Sequence, residues 1–248
     1  MSAVPAAASP VSNEPTEGDA LAGPDRWRSW VAGRGRSWWL TLVGAWVAGR
    51  VLVALGVLGA AQFAGRRDTA QSSVRAMRRW AWDAGWYDRL TGEGWAVLGA
   101  EGYRFFPGYP LAAEPLATVF GHRFALFAVS WMGALTGIAL AGELTRRATD
   151  DEALARRVMV ITGVFPAALA LVMPYSEGLA LTLVAAALLA LLHRRWAWVT
   201  VLALLASVVR PTGVLLVVPI AIEAWRAWSR SPSRARAGML AALAAPVV

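Results

Sequence analysis

Asp83 is the residue best placed to do chemistry in this chain. It follows Trp82 and precedes Trp86 and Tyr87, and a second aromatic group, Tyr103, Phe105, Phe106, Pro107, Tyr109 and Pro110, lies about one helix length further on. A carboxylate held among aromatic rings and arginines can serve as a general base that takes a proton from a hydroxyl group. Asp83 and Tyr87, like Trp82 and Trp86, are four residues apart, a spacing that puts each pair on one face of a helix. A helix of this kind would lie along a membrane with its tryptophans at headgroup depth. The structural alternative is that Asp83 caps a helix or pairs with Arg79 or Arg89. Asp88, Glu93 and Glu101 are rival acids nearby, but none has so dense an aromatic setting.

Two other places hold groups that suit a bound anion or polyol. Ser176 and Glu177 follow Pro174 and Tyr175 and open an apolar run. They read either as helix caps or as a sugar-hydroxyl acceptor and a carboxylate that orients Arg210. Arg210 stands between two apolar runs, with Pro211, Thr212 and Gly213 after it. An arginine at the centre of a bilayer costs at least ~2.5 kcal/mol, so it must reach the interface or an anion. Its forked guanidinium matches a phosphate, and snorkelling to headgroups is the alternative. Arg50 lies midway along the first apolar run, where a charge marks either a ligand contact or a structural pair. Between Phe105 and Pro110 the prolines predict a break in regular helix, as a re-entrant turn or as an interfacial aromatic belt.

The elements that carry these groups are apolar. Of 248 residues 57% are hydrophobic and 16% charged, against about 25% charged in soluble domains. The expected class is all-α: a polytopic membrane protein with a long first extracytoplasmic loop. All 24 basic residues are arginine, and the net charge is +8. The arginines flank apolar runs instead of forming one basic face, so they read as topology signals and no nucleic-acid partner is expected. There is no cysteine, which excludes disulfides and thiolate metal sites. His122 and His193 are the only histidines and are far apart, so no metal site and no cofactor are expected.

Residues 1–25 read as a disordered cytoplasmic tail, and residues 26–248 as a membrane domain. An apolar run from Trp38 to about Ala64 is long enough to span. A polar insert at about 66–123, roughly sixty residues long, exceeds ordinary connections and is expected to be functional. Later runs start near Phe124, Val158, Leu179, Trp196 and Val214, about six spans in all, and the run from Met239 is too short at Val248 to complete another. If the tail is cytoplasmic, Arg146, Arg147, Arg156, Arg157, Arg194, Arg195, Arg226, Arg230, Arg234 and Arg236 all fall on the cytoplasmic side, as the positive-inside rule requires. The Asp83 insert, the 173–177 connection and the 210–213 turn then share the extracytoplasmic side.

In this order, Trp82-Asp83 with Trp86-Tyr87, Gly102-Tyr103, Phe105-Phe106-Pro107 with Tyr109-Pro110, Ser176-Glu177 and Arg210-Pro211-Thr212-Gly213 resemble the PIG-V mannosyltransferase family, relatives of the second mannosyltransferase of GPI-anchor synthesis. The resemblance covers roughly residues 37–230. It implies a bacterial GT-C glycosyltransferase, a multi-spanning helical enzyme that moves a sugar, in this family mannose, from a polyprenyl-phosphate carrier to an acceptor hydroxyl with inversion and without a metal. It makes Asp83 the catalytic base and Arg210 the contact to the carrier phosphate. It gives Trp82, Trp86, Tyr87, Tyr103, Phe106, Pro107, Tyr109, Ser176 and Glu177 roles in lining the substrate site. The expected partners are membrane lipid, the lipid-linked sugar, and an acceptor glycan, glycolipid or protein. Gly108 departs from the family pattern, which has a larger apolar residue there, and family members are longer. Two other classes stay open: a non-catalytic membrane scaffold, and a transporter or flippase of lipid-linked substrates. Internal repeats, which would favour a transporter, are not visible.

Overall fold

The computed structural model describes residues 33–64 and 82–247. The tail at 1–25, Arg26, Arg28, Arg79 and the first part of the insert, 66–81, lie outside the described residues. Those described form α-helices and short 3-10 segments with no strand among them, as the all-α expectation requires. The chain divides into two units, residues 1–39 and 40–248. In the first, the Arg34 guanidinium lies 4.7 Å over the Trp38 ring.

Helix α1 runs from Arg36 to Ala64. Four helices then follow in the order α2 (Asp83–Glu93), α3 (Trp95–Gly102), α4 (Gly108–Phe120) and α5 (His122–Thr149). Helix α6 (Glu152–Val164) leads into a 3-10 segment, Pro166–Leu171. Helices α7 (Glu177–Leu192) and α8 (Trp196–Val209) come next, followed by a 3-10 segment at Pro211–Leu216, then α9 (Val217–Trp228) and α10 (Ser233–Ala244). By length and composition two helical stretches are sufficient to cross a membrane, Arg36–Ala60 and His122–Thr149; Glu177–Leu192 and Trp196–Val209 are apolar but shorter.

Small residues set the packing. Helices α5 and α7 meet where a side chain on Gly178 would strike the Ser130 carbonyl at 2.4 Å, and one on Gly133 would strike Gly178 at 2.7 Å. Close backbone approach of this sort is how apolar helices pack when no solvent drives them together. Two buried clusters follow. One joins α7, α8, α9 and α10 around Val199, Ala203, Leu216, Ile220 and Met239. The other holds α2, α4 and α5 together through Tyr87, Leu90, Tyr109, Ala113 and Leu126.

The sequence predicts a break between Phe105 and Pro110; the structure puts the break earlier. Residues 103–107 form the turn, and α4 starts at Gly108 with Pro110 in its first turn. A proline is tolerated there because first-turn N–H groups have no intrahelical acceptor. Trp82 also departs from expectation. It lies outside α2 with φ of 51° and is exposed, so it shares no helical face with Trp86.

Candidate functional site

Three separate stretches converge on Ser176. The buried Tyr87 hydroxyl of α2 donates to Ser176 Oγ at 3.1 Å. Arg210 Nη1 donates to the same oxygen at 3.0 Å and also meets Glu177 Oε1 at 2.6 Å. The sequence separations are 89 and 34 residues, so only the fold makes this cluster. Ser176 is fully buried, and its helical backbone angles and engaged hydroxyl rule out the capping role: no side-chain cap bond forms at this end of α7. Glu177 does occupy the first turn of α7, where an acid is favoured.

Local chemistry explains how Arg210 reaches this place. A residue before proline is driven to extended backbone, and Arg210 adopts φ −150° and ψ 144° ahead of Pro211. That ends α8 and lets the side chain turn back toward α7. Its Nη1 is committed to Ser176 and Glu177, while Nη2 and Nε have no hydrogen-bond partner among the described residues. One donating edge of the fork is therefore open. Glu177 Oε2, by contrast, is buried without a partner among the described residues.

Asp83 sits at the first position of α2, half-buried. It makes no hydrogen bond or ion pair among the described residues. Its rivals are all engaged. Asp88 takes Arg123 at 2.9 Å and His122 at 2.9 Å. Glu93 pairs with Arg89 at 3.4 Å, and Glu101 with Arg104 at 3.3 Å. Arg89 is thus not the partner of Asp83. The next residue, Ala84, is fully buried against Met173 and Tyr175, which seats the start of α2 on the 173–177 connection.

Electrostatics tie the three charged groups together. Burial raises the pKa of the Tyr87 hydroxyl above its ordinary value, and the charges of Glu177, Arg210 and Asp83 all act on it. The Tyr175 hydroxyl is pushed up to about 12, first by burial and then by the charges of Asp83 and Glu177. Both hydroxyls therefore remain protonated at neutral pH, and that of Tyr87 donates to Ser176.

The aromatic residues divide. Trp86 stacks on Phe105 with centroids 5.6 Å apart. Tyr87 meets Phe105 at 5.4 Å and Tyr109 at 4.8 Å, both edge to face. Tyr109 donates to the Leu126 carbonyl at 2.7 Å and is fully buried, so it supports Tyr87 from behind. Phe106 is half-buried and Pro107 exposed. Tyr103, like Trp82, is largely exposed, and neither touches the cluster. Gly108, the departure from the family pattern, lies where α4 crosses the end of α8: an added Cβ would come within 2.7 Å of Val209 Cγ2 and 2.8 Å of the Val208 carbonyl. Only glycine lets α4 approach the residues that lead into Arg210.

Arg50 pairs with no carboxylate among the described residues. Its guanidinium lies 3.5 Å over Trp46 and 5.0 Å from the Trp131 ring centroid. It donates to the carbonyls of Trp46 at 2.8 Å and Leu171 at 3.3 Å. Ser130 and Trp131, which the sequence does not single out, donate to the Met173 and Val172 carbonyls. A serine and a tryptophan inside an otherwise apolar run were the available signal. No group of three or more His, Cys, Asp or Glu residues suited to a metal occurs among the described residues. A surface groove between α1 and α6, lined by Gly49, Leu52, Val53, Phe165 and their neighbours, shares no residue with the Ser176 cluster.

Compared with protein families, curated proteins and solved structures, the chain matches none.

Proposed function

We propose that the chain is a polytopic membrane glycosyltransferase of the GT-C kind, which transfers a sugar, mannose by resemblance, from a polyprenyl-phosphate carrier to an acceptor hydroxyl at the extracytoplasmic face. The observation that carries this reading is the open edge of Arg210. Its guanidinium is fixed by Ser176 and Glu177 through Nη1, and Asp83, whose charge acts on Tyr87 and Glu177 of the same cluster, has no ionic partner among the described residues. Two parallel N–H donors are the geometry that a phosphate accepts.

In this mechanism Asp83 takes the proton from the acceptor hydroxyl. The resulting oxygen attacks the anomeric carbon from the side opposite the phosphate, and the bond between that carbon and the phosphate oxygen breaks. The configuration inverts. Arg210 neutralises the charge that gathers on the leaving lipid phosphate, which is stabilisation of the kind that contributes most to such transfers. A sugar hydroxyl reaching Glu177 Oε2 would supply the donor that this oxygen lacks. The proton acceptor and the phosphate ligand are thus separate groups, and the chemistry asks for no further ionisable residue.

The test is binding. Purified chain in lipid nanodiscs is titrated with polyprenyl-phosphate mannose carrying a radiolabelled sugar. Loss of a charge-assisted contact weighs about 1.5–3 kcal/mol, so Arg210→Gln should weaken binding roughly 10- to 100-fold, while Asp83→Asn leaves it within about threefold. Equal affinity for wild type and Arg210→Gln removes Arg210 from the phosphate site. No binding by wild type argues for a scaffold.

A further inference from the structure

The 3-10 segment Pro166–Leu171 ends just before the 173–177 connection. Its last carbonyls need donors, but Pro174 lacks the N–H that would serve Leu171 if the 3-10 helix continued. The Met173 carbonyl accepts from the Tyr175 N–H at 2.8 Å, and side chains from two other helices supply the remaining donors. Arg50 Nη2 of α1 donates to the Leu171 carbonyl at 3.3 Å. Trp131 Nε1 of α5 donates to the Val172 carbonyl at 2.7 Å. Ser130 Oγ of α5 donates to the Met173 carbonyl at 2.7 Å. Three successive carbonyls are thus held by three side chains, three residues before Ser176.

Two of the three donors, Arg50 and Trp131, are themselves held together. Arg50 lies across the Trp46 and Trp131 rings, and Trp46 Nε1 donates to the Trp131 carbonyl at 3.1 Å. The two tryptophans meet edge to face at 5.8 Å. A cation with no carboxylate among the described residues, whose Nη1 and Nη2 both donate to main-chain oxygens, is better explained as a brace than as half of an ion pair.

We infer that Arg50, Trp131 and Ser130 are positioning residues: they fix the 171–173 backbone and so set where Ser176 and Glu177 hold Arg210. The coupling to substrate rests on the function proposed above; the brace itself does not. Arg50 acts through the connection and touches neither reacting atom.

Hydrogen exchange and donor binding together test this. The variants are Arg50→Gln, Arg50→Lys, Trp131→Phe and Ser130→Ala, in the full chain in nanodiscs. Ser130→Ala removes one donor and little volume; Trp131→Phe removes one donor and part of a ring. Losing one net hydrogen bond should speed amide exchange in peptides covering 172–181 about five- to tenfold, with peptides of α8 unchanged. Arg50→Lys, which keeps a donor, should recover part of the protection. Affinity for radiolabelled polyprenyl-phosphate mannose should fall about tenfold in Arg50→Gln. Unchanged exchange at 172–181 overturns the brace, whatever the binding shows. Faster exchange with donor affinity unchanged, where Arg210→Gln does lower it, overturns the coupling to the site. If wild type binds no donor, the functional reading and the coupling fail together, and exchange alone decides the brace.

Discussion

The residues of the cluster divide by what each could form without the rest. Asp83, Glu177 and Arg210 are legible as charged groups in apolar surroundings, and their types alone suggest a base, an orienting acid and an anion ligand. Their partners are not legible. Ser176 serves Tyr87 and Arg210 from 89 and 34 residues away, and no local pattern distinguishes a serine that caps a helix from one that receives two donors. Arg50 is the sharper case. A mid-helix charge suggests an acid elsewhere, yet its partners are two carbonyls and two indole rings, and backbone acceptors leave no mark in a sequence. Ionisation at this scale gives a prediction. Below pH 10 Tyr175 is protonated both folded and unfolded, so it adds no pH dependence. Between pH 10 and about 12 the unfolded chain releases this proton while the folded chain keeps it. The folded state then binds more protons and stability falls as pH rises. Thermal unfolding followed across pH 9–12 should show this fall, and Tyr175→Phe should make it shallower; an identical slope in the variant contradicts the assignment.

At the scale of elements, helix existence was readable and helix edges were not. Four of the apolar runs became α1, α5, α7 and α8, because long stretches rich in Leu and Ala with few breakers favour helix, whereas the runs near Val158 and Val214 are each divided between a helix and a 3-10 segment. The aromatic proline stretch misled in one respect. Pro110 reads as a breaker, but three residues into α4 it costs no hydrogen bond. Gly108 shows why a departure from a family pattern can be structural. It stands where α4 touches α8, and besides Val209 Cγ2 its neighbours are Val208 backbone atoms that cannot rotate away. Gly108→Val should therefore destabilise the chain by about 1–3 kcal/mol, as overpacking does. Gly44, in the middle of α1, has nothing within 4 Å of an added Cβ, so Gly44→Ala should stabilise by about 0.5–1 kcal/mol. Melting of both variants in detergent, followed by tryptophan fluorescence, tests the pair. A neutral Gly108→Val would mean that α4 is free to move off α8.

For the whole molecule, the fold sorts polar groups to opposite ends of α7. At its start lie Ser176, Glu177, Arg210 and Tyr87. At its end, Arg147 meets His193 at 2.7 Å, and Arg194 meets Glu223 at 2.8 Å. The arginine-flanked connections and the candidate site thus fall at different ends of one helix, the arrangement that positive-inside charge bias implies if α7 crosses a bilayer. The chain has no cysteine, so single cysteines report without background. In intact cells a membrane-impermeant maleimide should label Glu101→Cys, and label Arg230→Cys only after lysis. Labelling of both positions in intact cells, or of neither, contradicts the proposed sidedness.

The central claim is that Asp83 takes the proton in a sugar transfer from a lipid phosphate. The direct measurement is the rate of mannose transfer from radiolabelled polyprenyl-phosphate mannose to acceptors in membranes containing wild type or Asp83→Asn. General-base catalysis contributes about 10²- to 10⁴-fold, so transfer should fall by at least about a hundredfold in Asp83→Asn while donor binding persists. Equal transfer rates in the two membranes would contradict the assignment.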